Sequence, residues 1–436
     1  YPVNVFITVL HYRMADRHRC FDNELPDYQP QLPPAVAGEE PGASGNEKIS
    51  KTPKRAPLDE LIALSYQDYS RASKEFALEL KTIVVRETWT SCRRRVHDYS
   101  LYTGLLGTAF LLLKSHLVTE DKNDLQLCSE IIDACGFAST RNEPVTFIIG
   151  SAGVYALGAV VAKYLNDSRK LEEYLTHFKK IKLPSDLPHE LLYGRTGYLW
   201  ACLFLNKHIG IDTVSTSQLR RIVDEIIKAG RCYPNKGNCP LMYEWHGKEY
   251  WGAAHGLAGI MHVLMDMELK QDEEEDVKAT LRYMIKNRFP SGNFPSSEGS
   301  ETDRLVHWCH GAPGLALTLA KAAEVFGDEE FLKSAKDAAE VVWKRGLLRR
   351  VGICHGISGN TYAFLRLYKL TGEAKHLHRA KAFASFLQDG ALRMISEGKM
   401  DGGDRPYSLF EGIGGMAYLL LDMIDPLKSC FPAYDM

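Results

Sequence analysis

Two cysteine–histidine pairs, each running directly into a glycine, stand out in this sequence of 436 residues. They are Cys309-His310-Gly311 and Cys354-His355-Gly356, and a third stretch, Ala254-His255-Gly256, carries the histidine alone. Thiolate sulfur and imidazole nitrogen are the donors zinc takes, and a catalytic zinc uses three protein donors while keeping its fourth position open. Two Cys and up to three His at one point therefore predict one zinc per chain. Three donors drawn from two Cys-His pairs mean that one pair gives only its Cys, and spacing alone leaves open which one. A single pair would read as a buried thiol, a small hydrophobe, beside a satisfied histidine. Two pairs in the same local context do not read that way.

That context is a repeat. Gly-x-x-Gly occurs seven times at the mouth of an apolar run: Gly104/Gly107, Gly150/Gly153, Gly194/Gly197, Gly256/Gly259, Gly311/Gly314, Gly356/Gly359 and Gly412/Gly415. Each interval is long enough for two helices and two loops, the signature of an array of supersecondary units. One helix of each pair is apolar nearly all round and must be inner. The other is amphipathic, as in Asp276 to Asn287, and must be outer. The glycines let backbones approach closely and leave free amides at each inner N-terminus. Strand-like alternation is nearly absent. The expected fold class is all-α, an α/α toroid (double helical barrel) of seven helical hairpins with seven inner and seven outer helices. In a closed toroid the residues before the first glycines ring one end of the central hole. His255, His310 and His355 would converge there with Thr103, Ile149, Tyr193 and Glu411.

Composition sets the surroundings. The net charge is −2 with no long basic block, so no nucleic-acid partner is implied. The apolar stretch from Val145 to Val161 is broken by Gly150, Gly153 and Gly158, and mean hydropathy is −0.23; no transmembrane segment is expected. Peripheral association with the plasma membrane stays compatible. The ten cysteines lie mostly singly among apolar residues, as in a reducing, cytoplasmic protein. Residues 1–57 read as a disordered tail, rich in Pro, Gly, Glu and Ser from Pro26 to Pro57. Within it Met14 looks like a natural start, and residues 1–13 are given no structural role. Residues 58–436 form the toroid domain. His376 and His378 are expected to face solvent on an outer helix. Glu273 to Asp276 reads as a helix start with a solvated acidic face. Trp245, ahead of His255, is a further candidate for lining the site.

The motifs Trp308-Cys309-His310-Gly311, Cys354-His355-Gly356 and Ala254-His255-Gly256-Leu257-Ala258-Gly259 resemble those of the lanthionine synthetase C-like (LanC-like) family. Tyr193-Gly194-Arg195, Asp303 to Trp308 and Asp404-Arg405-Pro406-Tyr407 resemble its eukaryotic branch, the plant proteins above all. The resemblance runs from about Leu58 to Pro432. It implies zinc on Cys309, Cys354 and His355, and an acid/base role for His255. It implies an acidic partner at Glu190 or Asp186 and an arginine at Arg304. Glutathione-binding relatives carry a lysine shortly before the second zinc cysteine. Here Arg349 and Arg350 stand there, and either could hold an anion; Arg405 is a further candidate. The implied reaction adds the thiol of glutathione to dehydroamino acids, including those in damaged proteins. Two rival readings are a zinc-containing binding or signalling protein without turnover, for which a hormone-receptor role has been proposed in plant relatives, and a toroid glycosidase. The glycosidase would need a carboxylate pair from Glu190, Asp404 and Glu411, and would leave the Cys/His set unexplained.

Overall fold

The structure, a computed structural model, describes residues 19–30, 57–138 and 144–436. Among them there are fifteen α-helices and no strand longer than an isolated bridge. After a short α1 (Leu58–Ala63), outer and inner helices alternate. The outer set is α2 (Tyr66–Val85), α4 (Lys122–Ala138), α6 (Ser168–Lys179), α8 (Thr216–Cys232), α10 (Gln271–Lys286), α12 (Glu329–Arg345) and α14 (Ala374–Ser396). The inner set is α3 (Leu105–Thr119), α5 (Ser151–Tyr164), α7 (Arg195–His208), α9 (Leu257–Leu264), α11 (Ala312–Phe326), α13 (Ile357–Thr371) and α15 (Ile413–Asp422). Burial follows side-chain chemistry. In α5 eleven of fourteen residues are buried, whereas in α6 only Phe178 is.

Each inner helix touches the next, from α3 through α5, α7, α9, α11 and α13 to α15, and α15 returns to α3. The ring is closed, as an α/α toroid requires. Six hairpins are contiguous in sequence. The seventh pair joins α15 to α2, from the other end of the domain. The last inner helix is thereby covered without a helix following it.

The glycine pairs follow from how each loop enters its helix. The first glycine is the N-cap in extended backbone, except Gly311, which has φ 103°. The second sits where the loop folds back over the first helical turn. A Cβ at Gly359 would land on the carbonyl oxygen of Ile353, and one at Gly314 on that of Trp308. Each oxygen belongs to the residue six places earlier, and the same relation holds in all seven repeats.

Three expectations are corrected at the outer wall. Residues 19–30 are not a free tail. Phe21 donates its backbone N–H to the Leu347 carbonyl and packs its ring at a tilt against Phe386, and Asn23 donates to the Trp343 carbonyl. Asp27 accepts two hydrogen bonds from Arg379, at 2.9 and 2.7 Å. This strap covers α12 and α14. The rest of the expected tail, residues 1–18 and 31–56, lies outside the described residues. The second correction lies on α14, where His376 is in line with the buried Ala380, Phe383 and Leu387. His376 is buried, as is Arg379 beside it, and burial pushes the His376 pKa down to about 4. At the start of α10, Glu273 is likewise buried, bonded to the Lys270 amide and to Arg220.

Arg379 also pairs with Glu340, so removing Asp27 leaves the guanidinium half-satisfied. Asp27→Asn should cost about 1–2 kcal/mol, the low side of the worth of hydrogen bonds to a charged group because Asp27 is partly solvent-screened, read by urea denaturation. The hydrogen bonds from Arg379 hold Asp27 below the usual carboxylate range. Its contribution is present above the unfolded value of ~3.9 and is lost as pH falls through the depressed folded value. The difference between wild type and variant should shrink accordingly in acid.

Candidate metal centre

The loops that open the inner helices are tied to one another around the mouth. Cys309 donates its amide to the Cys354 carbonyl (3.3 Å), and Cys354 to Phe410 (2.8 Å). Phe410 donates to Tyr102 (3.1 Å), and Tyr102 to Ile148 (3.2 Å). All five residues stand two places before a first glycine, so repeat phase becomes spatial adjacency. On the other side of Cys309, Gly252 lies so close that a Cβ there would strike the Cys309 carbonyl.

One donor atom from each of Cys309, Cys354 and His355 lies within 4.8 Å of the others. Zinc–sulfur bonds of about 2.3 Å and zinc–nitrogen bonds of about 2.0–2.1 Å at tetrahedral angles put ligand atoms roughly 3.3–3.8 Å apart. A small contraction therefore suffices, and the donor types are those zinc prefers. Both thiols are buried. Burial, then the hydrogen bond and charge of Cys309, push the Cys354 thiol well above its ordinary value. A thiol so raised is a poor nucleophile, so Cys354 in this donor set fits a metal better than it fits thiol chemistry of its own.

His255 is held on a neighbouring loop. Its Nδ1 lies 2.7 Å from Glu190 Oε2. Glu190 is buried and accepts two further bonds from the amides of Leu192 and Tyr193. The carboxylate is fixed by those amides, so Nδ1 carries the proton toward it and Nε2 is left as the acceptor nitrogen. Asp186, the other acidic candidate, is exposed. Trp245 stacks on the imidazole at 4.0 Å and 10°, and Tyr193 lies beside both rings, 5.7 Å from Trp245 and 6.2 Å from His255. His310 and His307 are also here. Burial, then the charges of His255 and His355, push His310 down to about 3. Burial, then His355 and His310, hold His307 well below its ordinary value.

The arginines separate. Arg350 stays at the centre, with Nη1 3.0 Å from His355 Nε2 and Nη2 2.6 Å from Asp401. Arg349 turns the other way; its guanidinium lies 4.4 Å over the Phe21 ring and donates to the Lys399 carbonyl. The expectation that either arginine could hold an anion at the centre is thus corrected for Arg349. Arg304 is half-buried in the segment leading to Cys309, and Arg405 is exposed ahead of α15.

One member of the site, Tyr102, was not expected, and a second, Glu411, was expected at the mouth from repeat phase. Tyr102 is buried, stacked on Phe410 at 4.9 Å. Burial, then the nearby Cys354, Cys309 and Glu411, push its phenol well above its ordinary value. Glu411 is buried with Oε2 lacking a hydrogen bond. Burial raises its carboxyl while His355 works against that. Repeat phase was the available signal: Tyr102 occupies the position of Cys309 and Cys354, and Glu411 that of His355.

The family model for lanthionine synthetase C-like protein matches residues 95–436. LanC-like protein GCL1 of Arabidopsis thaliana is 43% identical over 424 residues, covering 90% of this chain and 96% of that protein. Glutathione S-transferase LANCL1 of Danio rerio is 38% identical over 352 residues, covering 78% of this chain and 85% of that protein. Among solved structures, nisin cyclase superposes with a TM-score of 0.61 at 17% identity, covering 80% of this chain and 94% of that one. At that identity the likeness speaks to the shared toroid.

Proposed function

This chain belongs to the lanthionine synthetase C-like family, and from that premise we propose that it is a zinc-dependent enzyme adding the thiol of glutathione to dehydroamino acids. The observation that carries the reading is the buried Cys309, Cys354 and His355 cluster at the same mouth as a histidine fixed by Glu190. The name of the Danio rerio relative, a glutathione S-transferase, supports glutathione as co-substrate.

Cys309, Cys354 and His355 would hold one zinc per chain. When bound, it would supply Lewis-acid activation of a thiol whose ordinary pKa of about 8.5 leaves it mostly protonated at neutral pH. His255 accepts the proton that the thiol loses, through Nε2, while Glu190 stabilises the resulting imidazolium. As sulfur bonds to the β-carbon, the π pair moves toward the carbonyl, and His255 returns the proton to the α-carbon. The net change is addition of S–H across C=C. Arg350, backed by Asp401, would hold a glutathione carboxylate by charge-assisted hydrogen bonds, with Arg304 as a second candidate. Trp245 and Tyr193 shield the imidazole.

No described helix is long and apolar enough to cross a membrane. All ten cysteines are free, which supports a reducing, cytoplasmic setting; peripheral contact with a membrane stays compatible.

The test uses purified protein, glutathione and a dehydroalanine peptide. One zinc per chain and a glutathione adduct by mass spectrometry are expected, with activity lost on chelation and restored by zinc. A zinc-loaded chain that fails to exceed the uncatalysed rate would leave a binding role in place of turnover.

A further inference from the structure

The central hole of the toroid is filled behind the centre by the chain itself. Phe431, Ala433 and Tyr434 are fully or almost fully buried. Tyr434 accepts the indole N–H of Trp200 (α7) at its carbonyl, 3.0 Å away, and its hydroxyl pairs with Thr318 (α11) at 2.7 Å. Its ring stacks on His262 (α9) at 3.8 Å. Phe431 meets Tyr362 (α13) edge-on at 5.2 Å, and the Cys430 amide reaches Asp422 (α15). Residues 430–434 thus touch five inner helices at once.

The same two aromatic rings enclose Trp308, which is fully buried. Phe431 stacks on it at 4.9 Å, Tyr434 meets it edge-on at 5.4 Å, and Phe410 closes a third side at 5.7 Å. Trp308 is the residue before Cys309. Phe410 carries the carbonyl that accepts the Cys354 amide. The backbone bearing both thiols therefore rests on rings that are themselves packed against this segment.

We propose that residues 430–434 form an axial plug in which Phe431 and Tyr434 are positioning residues for the metal centre, and which closes the toroid behind it so that reactants come and go only through the mouth. The proposal rests on the metal reading above. Trp308 is large, and its indole nitrogen has no hydrogen bond, so only packing holds it in place. With the Tyr434 ring removed, a cavity opens beside Trp308, neighbours relax only partly, and the Cys309 loop gains freedom. Groups that hold ligands in place typically contribute 10–100-fold in metal affinity.

The test compares Tyr434→Ala, Tyr434→Phe and a control, Phe178→Ala. Phe178 is buried on α6, outside the ring of inner helices. Zinc affinity is measured by chelator competition, the absorption of the cobalt-substituted protein reports thiolate geometry, and thermal melting reports stability. Tyr434→Ala should weaken zinc about 10–100-fold and shift the cobalt spectrum, while Tyr434→Phe, which keeps the ring, stays near wild type. Phe178→Ala should lower the melting temperature with zinc affinity unchanged. If Tyr434→Ala does not fold, Phe431→Leu replaces it, with the same direction expected. Unchanged affinity and spectrum in the plug variant overturn the proposal alone, as does an equal loss of zinc in Phe178→Ala. A wild-type chain that takes up neither zinc nor cobalt overturns the metal reading itself, and the proposal with it.

Discussion

Cys354→Ala is expected to fall from one zinc per chain to almost none while remaining folded. The cluster offers three protein donors, and two cannot hold zinc against water in a position built for three. The fold should survive because ring closure does not pass through the metal. α15 packs on α2 and α3, and the mouth loops are joined by backbone hydrogen bonds. The side chain lost is small, so the melting temperature should drop by only a few degrees beyond the loss of ligand stabilisation. Elemental measurement on wild type and variant decides the matter, and equal zinc in both would remove Cys354 from the set. Cys309→Ala should behave alike. His355→Ala against His310→Ala separates the two histidines that follow the cysteines: the first should lose zinc and the second keep it.

The next largest effect is expected at His255. His255→Asn should keep its zinc and its fold while losing roughly 10²–10⁴-fold in glutathione addition, the usual worth of a positioned acid/base group. Asparagine can still donate to Glu190, so the buried carboxylate keeps a partner and the loop need not rearrange. Glu190→Gln should lose less, because it leaves the imidazole in place and weakens only its orientation and charge stabilisation. Loss of zinc in His255→Asn would make His255 a ligand. Full activity would point to another proton carrier. His310 is poorly suited, since burial and its neighbours keep it neutral down to about pH 3. Tyr102 would then be the group to replace, because its hydroxyl stays protonated among Cys354, Cys309 and Glu411.

Much of this was legible in the sequence because the fold is a repeat. Gly-x-x-Gly recurs wherever a loop carbonyl must press against the first turn of an inner helix, and only the absence of a side chain permits that approach. Helix type follows from the same local chemistry. α5 can only be inner, and α6, with a single buried residue, can only be outer. Once seven such units are recognised, residues in equal phase must lie on one ring. Cys309, Cys354, His355 and His255 could therefore be placed at one mouth without coordinates.

Tertiary structure decided what phase and residue type do not encode. Arg349 and Arg350 are neighbours in sequence, but one stacks on Phe21 and the other reaches His355. That choice depends on where the strap of residues 19–30 lies. His376, expected to face solvent, lies in line with the buried Ala380, Phe383 and Leu387 on α14, and Arg379 beside it is covered by Asp27 from a distant piece of chain. Tyr102 carries no signature by type and joins the site because the first and last repeats meet at the seam of the ring, where Phe410 donates to its carbonyl. Residues 430–434 together touch five inner helices, α7 to α15, that are spread over more than 200 residues of sequence. In each case the determining contact joins residues remote in sequence, whereas periodicity reports only the environment that a segment's own neighbours impose. Local chemistry determined the repeat and the donors. Closure of the ring, and the segments that cover and plug it, decided which side chains meet there.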